Sequence, residues 1–335
     1  MISGFDRLSN EPEQFGNNLR RGLVSAKPLR PHYWQLRWLV RGRLALKFSV
    51  VIISAYAGRA ELLTNLVPTA DTSLLESNPD NNLGALVSIP AGTTSQGRSR
   101  TLFKFDLSGI PSGAGISAVE FTVSAVAQNS QHPGSIFALH RLLKNWGEGV
   151  GSVNNSGDPA TTNAATWNNR FHPLTPWGTA GGAAGVDFNA SFSATNFIDA
   201  LTNYTFGSTT GLVADVQLWI NNPEANFGWI FLSQSEATTF TVRRFASRED
   251  TIRSPILTVH YIPPPVIASV SVSGNIIHFT FSAESNRTYT VETRNAVNAG
   301  NWVALTNIPA ASATTIIEVN DPITNLTGFY RVRSP

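Results

Sequence analysis

Two short stretches repeat apolar side chains at every second residue. In Thr101-Leu102-Phe103-Lys104-Phe105 the two phenylalanines share one face, and Val119, Phe121, Val123 and Ala125 alternate with Glu120, Thr122 and Ser124. A period of two is the mark of a half-buried β-strand, since successive side chains point to opposite faces of a sheet. Further runs of strand length are Ser135–Leu143, Gly228–Ser233, Thr239–Phe245 and Ile256–Ile262. Turn chemistry such as Ile110-Pro111-Ser112-Gly113 separates them. Long connections between some of these runs favour a jelly-roll or Greek-key β-sandwich over a meander.

One segment departs from this period. In Thr210–Pro223 the apolar residues Leu212, Val213, Val216, Trp219 and Ile220 fall at helical spacing, and Pro223 ends the run. The spacing predicts one short amphipathic helix lying on the sandwich, with Trp219 in the core.

Composition agrees with an all-β chain. Only 14% of residues are charged, against roughly 25% in ordinary globular proteins. Turn- and strand-forming Gly, Thr, Ser, Asn and Ala take their place. Residues 1–47 hold nine Lys/Arg against three Asp/Glu, a net +6, whereas residues 48–335 carry fifteen against nineteen, a net −4. The basic character therefore belongs to the N-terminus. No Lys/Arg run occurs in the body, which argues against a nucleic-acid partner. The chain has no cysteine, which excludes disulfides, zinc–thiolate sites and a thiol nucleophile.

Residues 37–60 place a basic stretch before the apolar run Phe48–Ile53, and Ala55-Tyr56-Ala57 follows with small residues at cleavage spacing. This order predicts an export leader over 1–57, cut after Ala57 or after Ala60, and hence an extracellular protein. A buried strand of a longer N-terminal domain is the rival reading. The run is too short for a retained membrane anchor, which needs about 20 apolar residues. After cleavage no stable membrane span is expected.

Pro263-Pro264-Pro265 is a stiff connector without backbone donors. It divides a larger domain, 58–262, from a linker and small domain, 263–335. In the latter Asn275–Phe281, Arg287–Glu292, Trp302–Leu305, Thr315–Val319 and Phe329–Val332 read as strands of an immunoglobulin- or fibronectin-like sandwich, with Trp302 as its core tryptophan.

No nucleophile elbow, zinc-protease motif, phosphate loop or dinucleotide fingerprint is present. The six histidines are scattered, and His140, His260 and His278 sit within strands. Glu148, Asp158 and Glu249 are the best carboxylates for a glycosidase, but nothing in the sequence pairs them. No catalytic residue is assigned. Ala70–Gly84 clusters hard oxygen donors, and Asp71, Asp80 and Asn82 would serve a structural Ca²⁺. The competing reading is a turn whose Asx side chains bond their own backbone. The long insertion from Lys144 to Val186 has little strand pattern yet carries Trp146, Trp167 and Trp177. These indoles are either sugar-stacking platforms or a satellite core that pins the loop.

Taken in order, ADTSLLESNPDNNLG, RTLFKFDLSGIP, HRLLKNWGEG, ATWNNRF with TPWGTAGG, LVADVQLWINNPEANFGWIFL and RRFASRE before PILTVHY resemble the DNRLRE-domain family. The resemblance spans roughly residues 68–262. It implies a jelly-roll-like module of secreted microbial proteins, classed among carbohydrate-binding modules. The arginine–glutamate signature is here Arg244-Phe245-Ala246-Ser247-Arg248-Glu249, which departs from the naming motif in its first residues. Arg244, Arg248 and Glu249 could form an ion-pair network locking a strand end, or Arg248 could contact an acidic sugar. The expected function is non-catalytic polysaccharide binding. The alternatives are a structural cell-surface or matrix protein and a polysaccharide-active enzyme.

Overall fold

A computed structural model describes residues 49–52, 61–296, 300–324 and 327–334. The described residues are all-β in sandwich-like sheets, with one α-helix among them. Among the described residues no helix is long and apolar enough to cross a membrane.

The larger unit is one antiparallel network that turns over on itself. Its order runs Ala194–Ile198, Ser135–Arg141, Trp229–Ser233, Gly97–Phe105, Ser88–Thr94, Arg243–Ala246, Gly115–Gln128, Ile256–Ile262 and Leu62–Leu66. Pro68–Leu75 pairs with Gly97–Phe105, and Asn203–Phe206 with Gly115–Gln128. The alternation reads directly onto burial: Phe103, Phe105, Val119, Phe121 and Val123 all enter the main core. Phe231 and Trp229 meet Phe103 and Phe105 there in tilted and edge-to-face contacts, and Phe245 continues the cluster edge-to-face from Phe231 to Phe137, the geometries that the ring quadrupole favours. Of the run Thr239–Phe245 only the second half is strand; Phe240 turns the chain with φ 63°.

The helix spans Thr210–Asn221. Thr209 caps it, its hydroxyl accepting the Leu212 N–H at 3.1 Å, which satisfies one of the orphan donors at a helix start. Leu212, Val216, Trp219 and Ile220 are buried in the main core as their spacing predicts. Asp215, on the same face, accepts the Trp229 indole N–H at 2.8 Å and pairs with Arg141 at 2.9 Å. This buried ion pair fixes how the helix sits on the sheet.

The Trp229–Ser233 strand is buried at every position. Trp229 and Phe231 face the main core, while Ile230 and Leu232 face a second cluster with Leu74 and Leu102. The insertion covers that second face, contributing Trp146, Trp167, Trp177 and Phe188. A long polar segment is thereby ordered by a core of its own.

The smaller unit has a third core, built on Phe279, Phe281, Tyr289, Val291, Val319, Tyr330 and Val332. Its sheets are Ile267–Ser273, Ile276–Ala283 and Thr315–Pro322 on one side, and Val303–Ile308, Tyr289–Arg294 and Thr327–Arg333 on the other. Trp302 is not its core tryptophan. It is half-buried outside that cluster, with the Arg294 and Arg331 guanidinium carbons 4.4 and 4.3 Å from its ring centroid. Ser49–Ile52, from the apolar run of the expected leader, lies parallel to Thr327–Tyr330. The cleavage positions Ala55–Ala57 and Ala60 fall outside the described residues.

Candidate ligand-binding site

Asn82 organises the base of the insertion. Its side chain is buried, and its amide nitrogen donates to the Glu148 and Ala165 carbonyls at 2.6 and 2.9 Å. Its amide oxygen accepts the Gly84 and Gly151 N–H groups at 2.9 and 3.0 Å. Main chain packs so closely here that side chains are excluded. A Cβ on Gly84 would lie 2.4 Å from the Glu148 carbonyl oxygen, and one on Gly149 (φ +82°) 2.3 Å from Asn82 Oδ1.

This cage delivers Glu148 to Asp71 and Arg248. Glu148 Oε1 accepts the Asp71 N–H at 2.8 Å, and Arg248 grips both oxygens of Glu148, Nη2 lying 3.0 Å from Oε2. Glu249 lies 3.0 Å from Arg248 Nε, and Asp71 Oδ2 accepts the Arg248 N–H at 2.7 Å. Two carboxylates thus engage the Arg248 guanidinium, and a third carboxyl group, that of Asp71, binds its backbone N–H. Asp71 is fully buried, and burial pushes its carboxyl up to about 8, against the opposing bond from Arg248 N–H. Glu148 is raised by burial as well. Asp71 Oδ1 and Glu249 Oε2 are buried without a hydrogen-bond partner.

The strand-end lock expected from RRFASRE is present only in part. Arg248 and Glu249 take part, but the third member is Glu148, and Arg244 reaches away to Asn154 Oδ1. With its fork engaged by Glu148, Arg248 is not a free cation for an acidic sugar. Asp158 lies elsewhere, accepting the Ser152 and Val153 N–H groups at 2.6 and 3.1 Å.

The Ca²⁺ ligand set drawn from sequence is not assembled. Asp71 faces Arg248, Asp80 lies exposed against the Asn168 amide at 2.9 Å, and both ends of the Asn82 amide are occupied by backbone. Among the described residues no three His, Asp or Glu side chains form a group fit to hold a metal ion.

The indole platform is corrected in the same way. Trp146, Trp167 and Trp177 are only 5%, 4% and 4% exposed. The Trp146 and Trp177 N–H groups donate to the Phe227 and Thr166 carbonyls, each at 2.9 Å. Trp167 is covered by the Arg98 and Arg100 guanidinium groups, 5.1 and 5.5 Å from its centroid, and by Gly181, where a Cβ would come within 2.6 Å of the ring. Stacking on a sugar needs an open ring face, and none of the three offers one.

Open aromatic surface lies instead where the insertion stops. On the outer sheet face Phe197 pairs with Ile136, and Gln234, just past the end of the strand Trp229–Ser233, donates its N–H to the Ile136 carbonyl, so the three form one row. Phe197 and Ile136 are 54% and 47% exposed. The Phe197 ring lies over Gly134, where a Cβ would approach Cζ to 2.3 Å. The next row on this face begins with exposed Thr195, opposite Ala138. Beyond it His140 bonds Gln234 through Nε2 at 3.3 Å and meets exposed Phe192 edge to face, with centroids 6.5 Å apart. Burial lowers the His140 pKa, so the ring is neutral near pH 7. Sequence reading missed this strip, because the signal is one phenylalanine in a five-residue strand, with polar Thr195 as its same-face neighbour.

Comparison with protein-family models and with curated proteins returns no match.

Proposed function

We propose that this is an extracellular, non-catalytic polysaccharide-binding protein whose larger unit holds a glycan along the strip from Phe192 to Phe197. The observation that carries this reading is the presence of two exposed phenyl rings, Phe197 on the outer sheet face and Phe192 beside it in the segment that enters the same strand, with polar groups between them. Thr195 and Gln234 are exposed between and beside the rings, where sugar hydroxyls need partners. Phe192 meets His140 and Phe197 pairs with Ile136, four residues apart on the strand Ser135–Arg141; at about 3.3 Å each that is a span of roughly 13 Å, long enough for more than one sugar unit. The buried tryptophans serve this surface indirectly by holding the insertion as a fixed wall.

The non-catalytic part of the reading rests on Asp71. It is the carboxyl best poised to donate a proton at neutral pH, yet it is wholly buried and out of reach of a polymeric substrate. The ordered resemblance to the DNRLRE-domain family supports both the glycan and the extracellular location.

A phenyl side chain covers about 150–250 Å², and ~80 Å² of newly buried ring at ~25 cal/mol per Å² contributes ~2 kcal/mol. Set against the cost of association, two such rings give weak binding, in the millimolar range. Electrophoresis through gels containing neutral polysaccharides tests this. The intact protein is expected to be retarded by at least one of them, and F192A or F197A to lose ten- to thirty-fold in affinity, about 2 kcal/mol, with melting unchanged. Equal retardation of both variants and wild type would sink the assignment.

A further inference from the structure

One face of the smaller unit gathers three arginines around a single glutamate. Glu292 pairs with Arg331 across the ladder between Tyr289–Arg294 and Thr327–Arg333, and Arg294 and Arg333 lie on the same two strands. Glu292 is shared: Arg331 Nε bonds it, and Arg333 Nη1 lies 3.6 Å away. Arg294 and Arg331 both stack on Trp302. Two guanidinium groups thus share one carboxylate, and a third lies on the same Trp302 ring, on a chain whose residues 48–335 are net negative. Arg294 forms no salt bridge among the described residues, and its Nε is buried without an acceptor. The Arg333 side chain is 62% exposed.

The excess of guanidinium groups over carboxylates and the exposed Arg333 fork ask for an anion. A guanidinium presents a planar fork of donors that matches carboxylate or sulfate oxygens two at a time. Stacking on Trp302 holds two of the forks in place, so little side-chain freedom is lost when an anion arrives. A strand of nucleic acid would need an open ring on which to stack a base. Trp302 already carries two stacked arginines, so the surface reads charge rather than base planes.

We propose that the Arg294–Arg331–Arg333 face around Trp302 is a second binding site, specific for an anionic saccharide chain bearing carboxylate or sulfate groups. The choice of a saccharide among polyanions rests on the glycan-binding reading above, but the site is separate from the phenyl strip.

The test is gel retardation of the full chain by polygalacturonate, by heparin, by neutral dextran and by single-stranded DNA, at low and high salt. Retardation is expected with polygalacturonate, heparin or both, and whichever is bound identifies carboxylate or sulfate as the preferred group. It is expected to vanish at high salt, to weaken roughly tenfold in R294Q and in R333Q, and to leave retention on any neutral glycan untouched. R333Q keeps the test decisive, because that exposed side chain can be changed without disturbing the fold. The proposal is overturned if neither anionic polymer retards the wild type, if R333Q and R294Q both bind as wild type does, or if DNA is bound as tightly. Loss of neutral binding in F197A with anionic binding intact, or the reverse, tells the failure of one site from that of the other.

Discussion

Asp71 illustrates how a single buried group ties stability to pH. Its carboxyl titrates near 3.8 in an unfolded chain and near 8 in the folded one, because burial beside Glu148 and Glu249 disfavours the charged form. Between those values the folded chain keeps a proton that the unfolded chain has lost. Stability is therefore highest below about pH 4 as far as this group is concerned, and falls as pH rises until the folded form also ionises. At about 1.4 kcal/mol per pH unit the full loss is on the order of several kcal/mol. Asp71→Asn removes the titration and leaves an amide oxygen to accept the Arg248 N–H. Melting temperature measured from pH 5 to 8.5 is expected to decline in the wild type and to decline less steeply in D71N, where only the smaller contributions of Glu148 and Asp215, also raised by burial, remain. A wild-type profile that is flat or rises across that window would show that Asp71 is ionised throughout.

The insertion shows the same logic for a segment of chain. It has almost no regular structure, yet Trp167 joins it to the outer sheet face and two arginines cover the ring. Arg100 also donates to the Gly181 and Gly182 carbonyls at 2.8 and 3.0 Å and forms a 2.6 Å ion pair with Glu236. Deleting the indole leaves a cavity and strips the arginines of their support. Trp167→Ala is expected to cost about 3–5 kcal/mol, a fall in melting temperature on the order of 10 °C for a unit of this size. An unchanged melting point would mean that the loop is not held by this core. Much of this architecture is legible in the sequence, since periods of 2 and 3.6 are local and survive without knowledge of partners. Phe103, Phe121 and Trp219 are placed correctly for that reason. The site is less legible because its logic is long-range. Whether Asn82 faces a cation or carbonyl groups is decided by Glu148 and Ala165, which lie 66 and 83 residues away. Whether Trp167 is open or covered is decided by Arg98, Arg100 and Gly181. Glycines clustered around the tryptophans were the available hint, since close backbone approach is what buries a ring in a polar loop.

The main and outer clusters of the larger unit share the strands of one network, whereas the third cluster is drawn wholly from residues after the triple proline. A core that borrows nothing from its neighbour can be lost without taking the neighbour with it, so heating should separate the two units. Phe281→Ala is expected to cost about 3–5 kcal/mol and to lower one calorimetric transition while leaving the other in place. The N-terminal segment sharpens the same experiment. Ser49–Ile52 is joined by its ladder to Thr327–Tyr330, the outermost strand of the smaller unit. Export with cleavage after Ala57 removes it and leaves that edge without its parallel neighbour. Comparing the full chain with residues 58–335 should therefore shift the transition that F281A shifts and spare the other. N-terminal sequencing of secreted protein should read Gly58. If the two forms melt alike, the parallel strand contributes nothing to the smaller unit; if secreted protein begins before Ser49, the apolar run is a strand of the mature fold and not an export signal.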